Sequence, residues 1–221
     1  MLLAVDTSTA QVGLAVYDGA QVIAEYAWRS TQRHTVELAP ATADLLNRSG
    51  LKMENIRALG VALGPGSFTS LRVGLSFVKG LALARQLPLI GISTLDILAA
   101  GQPASRTPLV TAIQAGRGRL AISLYKNSKN RWQAKASPRV VTVDELTNEV
   151  TSPSTLCGEF TAADRQRLLT NENIRLTSPA QSVRRPAVLA ELAWLRLQNG
   201  DVDDDATLAP IYLHTAEPIA S

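Results

Sequence analysis

The feature that most restricts the fold is a likeness between the two halves of the chain. Leu2 to Asp6 is a short apolar run, a small polar turn follows, and Val12 to Tyr17 alternates as a second strand before an Asp18-Gly19 hairpin turn. Leu109 to Ile113 repeats that pattern. Gln114 falls where Asp6 was, the Gly116-Arg117-Gly118 turn follows, and Leu120 to Tyr125 is the second strand, ended by Lys126-Asn127 in place of Asp18-Gly19. A third strand at Gln21 to Trp28 has a weaker counterpart at Arg131 to Val141. An internal duplication follows, with one α/β lobe per half.

After the first three strands the spacing predicts a helix from about Val36 to Arg48, with Pro40 tolerable only in its first turn and Gly50 just past its end. A strand at Leu59, a long helix and a strand at Leu87 to Ile92 complete a βββαβαβ order. In the second half, helices are expected at Val143 to Glu149, Thr161 to Leu169 and Pro186 to Gln198, with a short strand at Ser154 to Cys157. Thr107-Pro108 marks a boundary, giving lobes 1–106 and 107–221, the last helix free to return to the first lobe.

With 221 residues and 46% hydrophobic content the chain can bury a real core. Cys157 is the sole cysteine, which excludes an internal disulfide framework and fits a reducing compartment. The opening stretch lacks a basic region and Asp6 interrupts its apolar run, so no signal peptide is read there. No run reaches the ~20 apolar residues of a membrane span. The expectation is a cytoplasmic protein without a membrane partner.

The formal charge of +3 is modest but unevenly laid out, because no acidic residue stands between Asp96 and Asp144. That interval carries Arg106, Arg117, Arg119, Lys126, Lys129, Arg131, Lys135 and Arg139. Two readings stand: a surface that holds a polyanion through its phosphates, or a solvated basic hairpin edge. Tyr125 and Trp132 alone offer stacking platforms, so any RNA affinity would be weak and steeply salt-dependent. Asp201, Asp203, Asp204 and Asp205 read as a solvated loop.

The long helix carries most of the remaining information. The run from Leu59 ends in Gly64-Pro65-Gly66, Ser67 stands at the N-cap, and Phe68, Leu71, Leu75, Val78 and Ala82 recur at helical spacing. Phe77, Leu81 and Ala84 add a second apolar strip, leaving Arg72, Ser76 and Lys79 as a narrow polar stripe. Such a helix is buried on two sides. Gly74 and Gly80 each cost about 1 kcal/mol against Ala, which implies close approach of another backbone.

Chemistry-bearing motifs are few. Asp6-Thr7-Ser8-Thr9 offers a carboxylate and hydroxyls suited to a nucleotide phosphate and its hydrated metal; a ligand-free polar turn is the alternative. Gly64, Gly66 and Ser67 match neither a P-loop nor a dinucleotide fingerprint, but they open a helix N-terminus that can receive an anion. His34 and His214 are the only histidines and neither has partners at metal-ligand spacing, so no metal site is read. Cys157 lies in an apolar strand with no base nearby.

GVALGPGSFTSLRVGLSFVKGLALARQLPLIGISTL (Gly60 to Leu95), AVDTSTAQVGLAVYDG (Ala4 to Gly19) and RHTVELAP (Arg33 to Pro40) together resemble the bacterial TsaB family, also called YeaZ. The clear likeness covers roughly the first 100 residues, with PIYLH (Pro210 to His214) near where that family carries Tyr-Leu-Arg. The resemblance implies a two-lobed member of the actin, Hsp70 and sugar-kinase superfamily, in agreement with the duplication. It also implies a noncatalytic subunit that partners a TsaD-like enzyme in making N6-threonylcarbamoyladenosine beside the anticodon of transfer RNA, with a TsaE-like ATPase and a threonylcarbamoyl-adenylate synthase also involved. Compared with that catalytic relative, the metal-ligand histidines are missing. ATP or ADP would belong to the interface with the partner rather than to this chain alone. Gln114 and His214 depart from the family's usual residues and weaken any anion role there.

Leu71, Leu75, Val78 and Ala82, with Leu38, Ala41 and Leu45 of the preceding helix, are assigned here to the strip that meets the partner. Self-pairing of the isolated chain stays open. The competing reading is a nucleotide-hydrolysing enzyme or phosphotransferase using Asp6, but Gln114 stands where a second acidic residue belongs.

Overall fold

The computed structural model describes residues 1–31 and 33–213, so His214 lies outside the described residues. The described residues cluster into two compact units: Met1–Ile97 with Arg184–Ile211, and Leu98–Val183 with Tyr212 and Leu213. The division thus falls some ten residues before Thr107-Pro108, and the first unit is discontinuous in sequence.

The first unit is built on a five-stranded sheet in the order β3-β2-β1-β4-β5. Its strands are β1 (Leu2–Asp6), β2 (Gln11–Tyr17), β3 (Val22–Arg29), β4 (Ala58–Gly64) and β5 (Leu89–Ser93). β1 pairs antiparallel with β2 and parallel with β4. Every residue of β1 is buried, and its alternation feeds two cores. Leu3 and Val5 join Leu14, Leu59 and Val61 beneath α1 (His34–Arg48) and α2 (Phe68–Arg85). Leu2 and Ala4 face the other way, onto Leu189, Ala190 and Ala193 of α6 (Pro186–Gln198). The small residues of α6 permit near contact, since a Cβ on Gly60 would stand 2.9 Å from that of Ala193.

The second unit repeats the design. Its sheet runs β11-β10-β6-β7-β8, with β9 also on β7, through β6 (Leu109–Gln114), β7 (Arg119–Ser128), β8 (Arg131–Ala134), β9 (Arg139–Thr142), β10 (Ser154–Gly158) and β11 (Ile174–Leu176). Read from its far edge, the order matches the first sheet strand for strand, and β6 pairs antiparallel with β7 and parallel with β10 as β1 does with β2 and β4. The duplication is therefore topological. Leu146 of α4 (Val143–Glu149) and Leu168 of α5 (Ala162–Leu168) cover one face of that sheet.

Local departures from the expected elements have identifiable causes. The third strand of the second half is two strands, because Pro138 cannot donate to the ladder between them. Pro40 sits inside α1 rather than in its first turn, and the bond it cannot donate falls at exposed Val36. Gly50, at φ +66°, closes α1 with a Leu51-to-Leu46 hydrogen bond of 2.9 Å. Ser67 holds the N-cap position of α2 without a side-chain cap; its N–H donates to the Ser8 carbonyl at 2.7 Å. The strand into Ser93 continues directly as a short helix, α3 (Thr94–Ala100).

Candidate functional site

The turn between β1 and β2 is the most polar point of the first unit's interior. Asp6, Thr7, Ser8 and Thr9 are all buried, at 2%, 1%, 0% and 7% exposure. Each is spoken for. The Asp6 carboxylate accepts the Ser8 N–H on Oδ1 at 2.8 Å and the Arg184 Nε–H on Oδ2 at 2.9 Å. Arg184 also donates to Thr9 Oγ1 at 2.9 Å and to the Gln11 carbonyl at 3.0 Å, and its side chain is fully buried. Thr7 Oγ1 donates to the Ser70 carbonyl at 2.7 Å, and Ser8 Oγ lies 2.8 Å from Thr94 Oγ1.

The backbone closes in just as tightly. A Cβ on Gly66 would meet the Ser8 carbonyl oxygen at 2.2 Å, and one on Gly74 would meet Thr7 Oγ1 at 2.1 Å. Gly74 thus marks a close approach within the chain, as its place in a helix implied. Gly80 does not, since nothing lies within 4 Å of its missing Cβ. His34 joins the same cluster at 8% exposure; its Nε2, 3.1 Å from the Thr9 carbonyl, must carry the proton because a carbonyl only accepts.

A phosphate cradle needs an accessible carboxylate for hydrated metal and open N–H donors around it. This turn does not fit that description. Asp6, Thr7 and Ser8 are engaged by Arg184, Ser70 and Thr94, Gly64 is buried, and Gly66 is pressed on Ser8, leaving Ser67 as the exposed member of the expected set. The sequence signal for the ion pair was faint: one arginine in Arg184-Arg185-Pro186, far along the chain from Asp6.

The corresponding positions of the second unit carry different chemistry. Gln114 Nε2 donates to the Glu159 carbonyl at 3.0 Å and to Asp164 Oδ2 at 3.2 Å, and the turn Gly116-Arg117-Gly118 is exposed with all three residues at positive φ. Cys157 is wholly buried, and burial pushes its thiol pKa up, against the smaller opposing influence of Thr177 and Ser182. Among the described residues no group of three or more His, Cys, Asp or Glu is placed to hold a metal ion, and no helix is long and apolar enough to cross a membrane.

The strip assigned to a partner is turned inward. Leu38, Leu45, Leu71, Leu75, Val78 and Ala82 are all buried and Ala41 is half-buried, and five of these seven belong to the core over β1, β2 and β4. That assignment of helix faces is reversed: the strip that contains Gly74 and Ser70 must lie against the chain's own sheet. The opposite strips face outward. On α1 these are Val36 at 65% exposure, Ala39, Pro40 and Ala43; on α2, Phe68 at 53%, Arg72, Ser76, Gly80 and Leu83 at 77%. Arg72 lies over the Phe68 ring, 3.7 Å from its centroid. Between the two helices runs a groove of about 430 Å³ floored by Leu38 and flanked by Ala39, Val73 and Phe77.

Comparison with known proteins places this geometry in context. The family model for TsaD, tRNA N6-adenosine threonylcarbamoyltransferase, matches residues 21–186. The tRNA threonylcarbamoyladenosine biosynthesis protein TsaB of Bacillus subtilis is 31% identical, over 98% of this chain and 95% of its own length. TsaB of Escherichia coli is 34% identical over 63% of this chain, a match that spans 62% of the E. coli protein. Among solved structures, YeaZ from Pseudomonas aeruginosa superposes with a TM-score of 0.78 at 24% identity, covering 96% of this chain and 99% of that one. A ROK hexokinase from Thermus thermophilus shares the fold more distantly, with a TM-score of 0.50 at 12% identity over 90% of this chain and 99% of that one.

Proposed function

We infer the role of the protein from its kinship: the chain belongs to the TsaB (YeaZ) family, whose named members are tRNA threonylcarbamoyladenosine biosynthesis proteins. We propose that it serves formation of N6-threonylcarbamoyladenosine on transfer RNA as a noncatalytic subunit, by pairing with a TsaD-like catalytic subunit through the outward strips of α1 and α2.

The observation that carries this reading is the apolar exposed face. Val36, Phe68 and Leu83 stand in solvent beside small residues, Ala39, Ala43, Ser76 and Gly80, that would let a second pair of helices come close. Gly80, with open space above it, finds its close neighbour in the partner. The competing phosphotransferase reading needs Asp6 free, and Arg184 holds it. A TsaE-like ATPase would join the assembled pair, and any ATP or ADP would be held there rather than at the Asp6 turn. Without the TsaD-like subunit the same face is open to a second copy of this chain.

Gly80→Arg tests the proposal. The substitution projects a cation from an exposed helix position whose Cβ meets nothing, so the fold is retained. Pairing with the TsaD-like subunit should weaken at least tenfold by titration calorimetry, and the reconstituted set should lose transfer RNA modification. A folded Gly80→Arg chain that pairs as tightly as the native one would rule this face out.

A further inference from the structure

The basic interval of the sequence acquires a definite geometry in the second unit. Of its eight cations, Arg139 is paired with Glu149 and, with Arg119, stands near Glu145 at the α4 end of β7. Among the described residues the other six make no ion pair. Register places three of them together: on the antiparallel ladder of β7 and β8, Lys126 is opposite Gln133 and Ser128 is opposite Arg131. Lys135 is one rung further, its N–H bonded to the Leu124 carbonyl at 2.9 Å.

Directly opposed residues share a face, and so do residues two apart. Lys126, Arg131 and Lys135 therefore stand on one face with Gln133 and Ser128. It is the face that, further along β7, puts Leu120 and Ile122 under α4 and α5. Past the helices the sheet is bare: Leu124 is 39% exposed, and Lys126, Arg131, Gln133 and Lys135 are all exposed. The opposite face is used by the chain itself, with Tyr125 buried and the Trp132 indole donating to the Gln102 carbonyl at 3.1 Å.

We propose that this bare face of the β7–β8 hairpin is a docking surface for the phosphate backbone of RNA. Arg131 and Lys135 are about 13 Å apart along β8, at roughly 3.4 Å per residue, with Lys126 alongside between them. A line of cations separated by neutral hydrogen-bonding side chains on one face of a hairpin matches an extended polyanion better than a single anion. Both aromatic rings of the hairpin point to the other face, so base stacking is absent and the contact is blind to sequence. The inference rests on the proposed role in transfer RNA modification for the choice of RNA, but it concerns a different surface from the α1–α2 face and is tested without the partner.

The experiment is fluorescence anisotropy of an unmodified transfer RNA transcript with the isolated full chain, over a potassium chloride series. Three phosphate contacts give a slope of log affinity against log salt of about −2 to −3. The triple variant Lys126→Glu, Arg131→Glu, Lys135→Glu should lose at least tenfold in affinity at low salt and flatten that slope, while its circular dichroism and thermal melt stay native. The control Arg29→Glu, Lys52→Glu, Arg57→Glu makes the same change in net charge on the first unit and should keep the slope. An unrelated RNA of equal length should bind as well as the transfer RNA. The proposal fails if the native chain binds no RNA at low salt, if the control loses as much as the triple variant, or if the triple variant loses binding to phosphatidylserine vesicles and keeps it for RNA. Failure of the α1–α2 pairing would leave these outcomes readable, because no partner is present.

Discussion

Arg184→Met is the change that most directly asks whether the Asp6 turn is a ligand site or a structural hub. The guanidinium is fully buried and the carboxylate is 3% exposed, so their attraction is little screened, and each is costly to leave alone. Methionine keeps the aliphatic stem but deletes the cation and the hydrogen bonds it donates to Asp6, Thr9 and Gln11. Breaking one side of such a pair costs about 3–5 kcal/mol. For a chain of this size each kcal/mol corresponds to roughly 2–4 °C in melting temperature, so a fall of about 6–20 °C is expected. The double variant Asp6→Asn, Arg184→Met removes both charges and should recover a good part of that loss, with a coupling energy on the order of 1–3 kcal/mol. Thermal and urea melts followed by circular dichroism supply the cycle, and calorimetric titration of the native chain with MgATP should show no binding at the turn. A single variant melting within 2 °C of the native chain, or additive losses in the double variant, would refute the argument.

Two further outcomes follow from burial. Leu75→Arg, which the outward reading of its strip would make an interface lesion, places a charge in the core beside Val5 and Val61 at a position 6% exposed, so circular dichroism should report loss of the native fold rather than loss of pairing alone. Cys157 should resist iodoacetamide at pH 8 in the native chain and react readily in urea, because burial removes access and holds the thiol protonated above its ordinary range; rapid native labelling counted by mass would contradict this.

The architecture was largely legible because both halves write the same apolar and polar alternation, and alternation is what a strand between two layers requires. The boundaries erred where a local breaker acted against a continuous pattern, as at Pro138, or where a helix followed a strand without a turn, as at Thr94. The helix faces were not legible from apolar content. Leu71, Leu75 and Val78 on one strip and Phe77 and Leu81 on the next are all large and apolar, and spacing sets the angle between them without saying which one meets the sheet. The discriminating signal was small side chains: Ser70 and Gly74 accompany the inward strip because Thr7 packs on them, whereas Gly80 sits on the strip left open. The buried ion pair escaped for another reason. A carboxylate at the end of the first strand looks the same whether it awaits a metal or an arginine from near the end of the chain, and only the folded arrangement tells which.

The discontinuity of the first unit bears on the order in which the protein is made. Domains usually fold from the N-terminus as synthesis proceeds at about 5–20 residues per second. Here β1 to β5 leave the ribosome without α6, whose apolar residues cover one side of their sheet, and without the arginine that neutralises Asp6. Both arrive only after the whole of Leu98–Val183, a delay on the order of 5–15 s at that rate. The sheet of the second unit, drawn wholly from the stretch between Leu109 and Leu176, can finish while the first still waits with a bare sheet face and an unpaired carboxylate. Chaperone dependence should therefore attach to the N-terminal half of the nascent chain, and stalling the ribosome before Arg184 should yield a species whose first unit is protease-sensitive and whose second is not.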